Sequence, residues 1–497
     1  MLESTYQTHQ IAPNKLRSNL LIFLLLFALG FLVFYPALFN FFCADDFIWI
    51  KTTQDIFDKY DFTSSDSFAF VRGRPVLNFV FLFLYQIFKL NPFGYHLLSI
   101  ILHILNTLLL FRLLSFLTDK VILRFTGSLI FLVHFVHEET IFWISSLSTL
   151  LCCSFYLIAL LLFLNWRSNG KKRMLYLWSL LFSLLALFSR EEAIIFPLLI
   201  LLILLFNFPP VQKLSKLKSI KFSSPYFLCL GFYLLFRILT LPLGTMNHSY
   251  RIGPLILLKN AGYFLVNLLF PYRFIFDLLG YNRLDQLQIH YAGLHYHWLV
   301  LPVLVLLIFI FFRFISHHLR KKNAIFSCGV VFLSLSTLPY LFLNGNGQRF
   351  LYFPVIGFSM ICIYFISSIS DWLALKGKTL IQRFIYSFLI LYFLTNSIII
   401  RERGHWWKEA GLAVGNLVQQ IKTLVPQAQQ SELYVLSLPH RVHGAYILLT
   451  GFEEAVAIYY PQVQGKIKYL GKLSPDEIKS LSIKNPYTFK DGRFEKL

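Results

Sequence analysis

Two adjacent carboxylates, Asp45 and Asp46, stand in FFCADDFIW (41–49), directly after the first long apolar run of the chain. Acids at the water end of an apolar helix can deprotonate a hydroxyl, hold a divalent ion or pair with an arginine. Neighbouring residues in a loop point different ways, so one of the two is expected to meet a substrate. Asp55, Asp58, Asp61 and Asp66, further along the same loop, read as ordinary solvated acids. In VRGRPVLN (71–78), Arg72 and Arg74 precede Pro75, a good first-turn residue for a helix. A guanidinium there can fork onto a phosphate at a bilayer surface, or simply be drawn to anionic head groups.

Charged groups recur where later apolar runs end on that same face. HEETIFW (137–143) offers Glu138 or Glu139 as a second carboxylate or a metal ligand, and His134 with His137 is a weak zinc signal. In SREEA (189–193), Arg190 lies beside Glu191 and Glu192, as an internal salt bridge or as a phosphate contact. A Gly/Asn turn in NGNGQRFLYFP (344–354) carries Gln348 and Arg349 outward, with Tyr352 at interface depth. An outward arginine runs against the positive-inside trend, which points to an anionic ligand such as a phosphate. His96, His103 and Asn106 fall close to one helical face and read as hydrogen-bond glue between helices.

The elements that must position these groups are membrane helices. The chain has 497 residues, mean hydropathy +0.63, 57% apolar and 14% charged residues. Soluble domains carry about 25% charged residues, so a soluble multidomain protein is excluded. Apolar runs able to span lie at 20–39, 95–117, 121–136, 146–166, 174–188, 194–208, 225–243, 297–315, 325–342, 350–370 and 384–400. The expectation is an all-α polytopic membrane protein with about eleven transmembrane helices and a small α/β extracytoplasmic C-terminal tail. The segment 254–272 is interrupted by Pro254, Lys259, Asn260, Gly262 and Asn267 and is expected to lie along the outer interface.

Net charge is +21, but the Lys and Arg residues cluster at 171–173, 213–221, 320–322 and 376–383, between alternate apolar runs. That pattern encodes topology rather than nucleic-acid binding, and it places the N-terminus in the cytoplasm and the C-terminus outside. The six cysteines show no paired spacing. The expected organisation is a cytoplasmic N-terminus (1–19), a transmembrane module (20–403) whose first outer loop (40–94) holds a juxtamembrane helix at 76–90, and a tail (404–497) with strands at 432–438 and 445–451 and a helix at 452–460.

Taken in order, ADDF, RGRP, NPFGYHLLSIILHILN, HEETIFWISSLSTLL, SREE and QRFLYFP resemble the GT-C superfamily of polyprenyl-phosphate-sugar-dependent membrane glycosyltransferases. The likeness covers about residues 20–400. It is nearest to the tetratricopeptide-containing O-mannosyltransferases, whose repeats are absent here. It implies an inverting sugar transfer from a polyprenyl-phosphate donor to an acceptor hydroxyl on the extracytoplasmic face. By the same resemblance Asp45 would be the general base with Asp46 as partner or second choice, and Glu138 an orienting acid. Arg74, Arg349 and Arg190 would bind the donor phosphate, with His96, His103, Asn106, Glu139, Gln348 and Tyr352 in support. A divalent cation (Mn or Mg) is left open, with Asp45, Asp46 and Glu138 as its ligands. Implied partners are the donor, a lipid, glycan or protein acceptor, and membrane lipids, in a bacterial plasma membrane. The competing readings are a lipid-linked oligosaccharide ligase or polymerase, and a secondary transporter or flippase. A transporter would be expected to show repeated halves with broken helices, and GxxxxGK[ST] is absent.

Overall fold

The computed structural model describes residues 13–59, 74–168, 172–206, 208–209, 214–240, 253–271, 274–275, 323–343, 347–377, 379–448, 450–471, 485–490 and 492–497. Arg72, Asp61, Asp66, the side chain of Asp58, the run at 297–315 and the basic cluster at 320–322 lie outside them.

Uninterrupted Leu, Ile and Phe sequence makes long helices, because in lipid every backbone N–H and C=O must be paired within its own segment. Among the described residues, six helical segments are long and apolar enough to cross a bilayer: Leu20–Phe39, Phe93–Leu114, Ile144–Ser168, Lys216–Thr240, Ala324–Phe342 and Pro354–Leu375. The pair Val121–Leu132 and Phe135–Phe142, bent by 45°, would make a seventh. The molecule is a multi-pass membrane protein, but eleven spans are not reached among the described residues. The run at 174–188 forms a helix, Arg173–Ser189, of 17 residues. That at 194–208 is divided between a 3₁₀ turn, Glu191–Ile195, and a ten-residue helix, Phe196–Leu205. The run at 384–400 lies within one 52-residue helix, Thr379–Gln430, which also contains position 404.

In chain order the helices that matter below are α1 (Pro13–Phe34), α2 (Asp46–Lys59), α3 (Pro75–Phe88), α4 (Phe93–Leu114), α5 (Val121–Leu132), α6 (Glu138–Phe142), α7 (Leu147–Ser168) and α8 (Arg173–Ser189). Then follow α9 (Phe196–Leu205), α10 (Lys216–Thr240), α11 (Pro254–Leu269), α12 (Ala324–Thr337), α13 (Pro354–Leu375), α14 (Thr379–Gln430) and α15 (Phe452–Tyr459). The span containing α7 is the bundle's centre, with 83% of its apolar window buried, and it packs against α4 and α8. Helices α12 and α13 cross at Gly329 and Gly357, where a Cβ on Gly357 would stand 2.5 Å from the Leu333 amide nitrogen. Only glycine lets the two backbones approach this closely.

Beyond α14 the chain forms a sheet ordered β4 (Ile467–Tyr469), β1 (Leu433–Ser437), β5 (Pro486–Lys490), β6 (Arg493–Lys496), parallel except for the final pair. A two-stranded hairpin, β2 (Arg441–Val442) and β3 (Ala445–Tyr446), precedes α15. This part is docked on the segment that follows α1: the Ala44 amide donates to the Ile447 carbonyl at 2.8 Å, and Phe47 meets Tyr459 edge-on. Ala44 holds a left-handed backbone, φ +55°. That conformation costs a non-glycine residue about 1–2 kcal/mol, and it turns the chain so that Asp45 and Asp46 meet the break between α6 and α7.

Candidate active site

Every residue from 131 to 154 is buried. Buried polar groups need partners, so the partners of this polar-rich stretch define the site. Trp143 is extended (φ −106°, ψ 114°) between α6 and a 3₁₀ turn, Ile144–Ser146. The break lets Trp143 and Ser145 serve adjacent carboxylates. The Trp143 indole Nε1–H donates to Asp45 Oδ1 at 2.9 Å. Asp46 Oδ1 accepts from the Ser145 amide at 2.9 Å and its hydroxyl at 2.6 Å, while Oδ2 accepts from the Cys43 amide at 3.0 Å.

The two acids are therefore unlike. Asp46 is fully buried and has both oxygens engaged, whereas Asp45 is half-buried. Burial and then the neighbouring Asp45 charge push the Asp46 carboxyl from 3.8 up to about 7, against the pull of its three hydrogen bonds. A carboxyl raised on folding gives stability that is complete below its unfolded value and is lost as pH climbs toward the folded one. The wild type should therefore lose thermal stability relative to Asp46→Asn between about pH 4 and pH 7. Unfolding midpoints of both proteins in detergent test this, and parallel pH curves would contradict it.

One helical turn further on, the same stretch meets the arginines. Arg74 donates to Ser148 Oγ at 3.4 Å, and Arg190 donates to the same oxygen at 3.3 Å and to Thr149 Oγ1. Arg190 Nε also pairs with Glu192 at 2.8 Å. The two Glu191 oxygens are shared between Arg74 at 3.3 Å and Arg237 of α10 at 2.9 Å. Burial pushes the Glu191 carboxyl up, but Arg74, Arg237 and Arg190 outweigh it and hold it at about 2. Among the described residues, three guanidiniums and two carboxylates meet here.

Arg349 makes contacts of its own. Its guanidinium sits 4.7 Å from the centroids of both Trp143 and Phe350, and its amide donates to Glu139 Oε2 at 2.8 Å. Glu138 is occupied at both oxygens, by Arg403 at 3.0 Å and by the Trp407 indole at 2.6 Å. Gln348 bridges Arg403 and Asn267. Asp45 and Arg349 thus share Trp143, Asp46 joins Arg74 and Arg190 through Ser145 and Ser148, and Glu138 and Glu139 are counter-ions of arginines.

His103, Asn106 and Tyr352 form one buried network. The Leu132 carbonyl, 2.9 Å from His103 Nε2, must accept its proton, so Nδ1 accepts from the Tyr352 hydroxyl at 2.8 Å. Asn106 donates to that hydroxyl at 3.1 Å and to the Leu150 carbonyl at 3.1 Å, and accepts from Ser154 at 2.8 Å. His96 is buried, with no hydrogen-bond partner among the described residues.

No group of three or more His, Cys, Asp or Glu side chains among the described residues could hold a metal ion. The expected trio of Asp45, Asp46 and Glu138 does not converge, because Asp46 and Glu138 spend their oxygens on other donors. Trp143, Ser145, Ser148, Thr149, Arg237, Arg403 and Trp407 were not singled out from the sequence. The usable signal is WISSLST (143–149), a Ser/Thr-rich run directly after the paired acids Glu138 and Glu139.

No family model matches the chain. Over 124 residues it is 32% identical to a protein O-mannosyl-transferase of Caenorhabditis elegans. The chain resembles membrane glycosyltransferases. The match spans 24% of this chain and 17% of that relative's length. A structural comparison also aligns 97% of the chain with 97% of the crystal structure of ArnT from Cupriavidus metallidurans bound to undecaprenyl phosphate, at a TM-score of 0.40 and 11% identity.

Proposed function

We propose that the protein transfers a sugar from a polyprenyl-phosphate donor to an acceptor hydroxyl at the extracytoplasmic membrane surface, with inversion. The observation that carries this reading is that one short segment, 143–149, touches both a half-buried carboxylate and a cluster of arginines. The local likeness to a protein O-mannosyl-transferase supports the transferase class. In the proposed step the acceptor oxygen attacks the anomeric carbon as its proton passes to Asp45. The bond from that carbon to the phosphate oxygen breaks, and the lipid phosphate leaves with the electron pair. Asp46 is too enclosed to meet an acceptor and anchors the loop instead. Arg349, Arg74 and Arg190, joined by Arg237, neutralise the departing phosphate.

Donor binding tests the arginine assignment. Arg349→Ala should weaken binding of a labelled polyprenyl-phosphate sugar more than Arg349→Lys does. Lysine keeps the charge but gives up the planar fork and much of the stacking on Trp143. Equal affinities for wild type and both variants would make Arg349 an anchor only. Arg74→Ala should act likewise, through the cluster it shares with Glu191 and Arg237.

A further inference from the structure

We propose that Trp143 is the positioning residue of the site, holding the base Asp45 by its indole edge and the phosphate ligand Arg349 by its indole face. The proposal rests on the reading of Asp45 as base. Trp143 is 4% exposed, and among the described residues it is the one side chain that donates a hydrogen bond to Asp45. An indole has a positive N–H edge and a negative π face. The first meets a carboxylate at 2.9 Å and the second a guanidinium 4.7 Å from the ring centroid, so both contacts have the favourable sign.

The ring itself has little freedom. It lies near-parallel to Trp407, 6.4 Å away at 24°, and 5.6 Å from Tyr446 of β3. Trp407 is tied by its own N–H to Glu138, and Tyr446 is capped by Arg441 at 4.2 Å. One Asp45 oxygen is thereby committed to the indole, which leaves the other oriented for the acceptor proton. Base and phosphate ligand are held one ring apart, a fixed spacing of the kind that oriented reaction requires.

The test uses the full chain in lipid nanodiscs with a polyprenyl-phosphate sugar that it turns over. Trp143 is replaced by Phe, and separately by β-(3-benzothienyl)alanine, which keeps the indole shape but puts sulfur in place of N–H. A hydrogen bond to a charged group is worth enough that kcat should fall by about tenfold to a hundredfold in both variants. Donor KM and the unfolding midpoint of the benzothienyl variant should stay near wild type. In an Asp45→Asn background the benzothienyl change should cost nothing further, because Trp143 acts through Asp45. Wild-type kcat in the benzothienyl variant, or an additive loss in the double variant, overturns the proposal. If Asp45→Asn alone keeps full activity, the reading of Asp45 as base fails first and the proposal falls with it.

Discussion

Asp45→Asn is expected to cut turnover by about 10² to 10⁴, the usual worth of a general base, while donor affinity stays near wild type. Asparagine can still accept the Trp143 N–H through its carbonyl oxygen, so the loop keeps its shape and only basicity is lost. Asp46→Asn should cost less in chemistry, because that side chain is spent on Ser145 and the Cys43 amide. Asp55→Asn is the control. Asp55 pairs with Lys51 one turn away along α2, a partly exposed i,i+4 ion pair with no contact to the acids at 45 and 46, and such pairs contribute little. Single-turnover transfer and donor binding on the three variants check the assignment. A large loss at Asp46 with a mild one at Asp45 would exchange their roles, and a silent double Asn variant would remove both from catalysis.

The largest stability effect is expected at Arg403. Arg403 and Glu138 are both nearly inaccessible, and they tie α14 to α6 across the bundle. Arg403→Met takes the guanidinium at 3.0 Å away from a buried carboxylate, and breaking such a pair typically costs about 3–5 kcal/mol. The double variant Glu138→Gln, Arg403→Met removes both charges and should recover much of that loss. Unfolding midpoints in detergent measure both. A wild-type midpoint for Arg403→Met alone would show that the pair is not structural.

What could be read from the sequence was set by local contrast. Asp45, Asp46, Arg74 and Arg349 stand out because each is charged at the end of an apolar run, where solvation is scarce. The partners that define their surroundings are distant in sequence and ordinary in type. Arg237 closes an apolar helix, Trp143 is one aromatic among many, and Ser148 resembles any helix serine. Glu138 and Glu139 read as candidate site acids until Arg403 and Arg349 are seen beside them. Hydropathy overstates the straight spans because it does not register the 45° bend between α5 and α6, nor the division at Glu191–Ile195. Nor does it reveal that Leu448, just past β3, bridges to Ala44, the residue that turns the chain into its paired acids.

The central claim is the transfer itself. Purified protein in lipid nanodiscs should be incubated with a panel of polyprenyl-phosphate sugars labelled in the sugar, and release of that label from the lipid followed for wild type and Asp45→Asn. The wild type should cleave at least one donor, to acceptor or to water, and Asp45→Asn should cleave it about 10² to 10⁴ times more slowly. Cleavage of every donor at equal rates by both proteins, or of none by either, would contradict it.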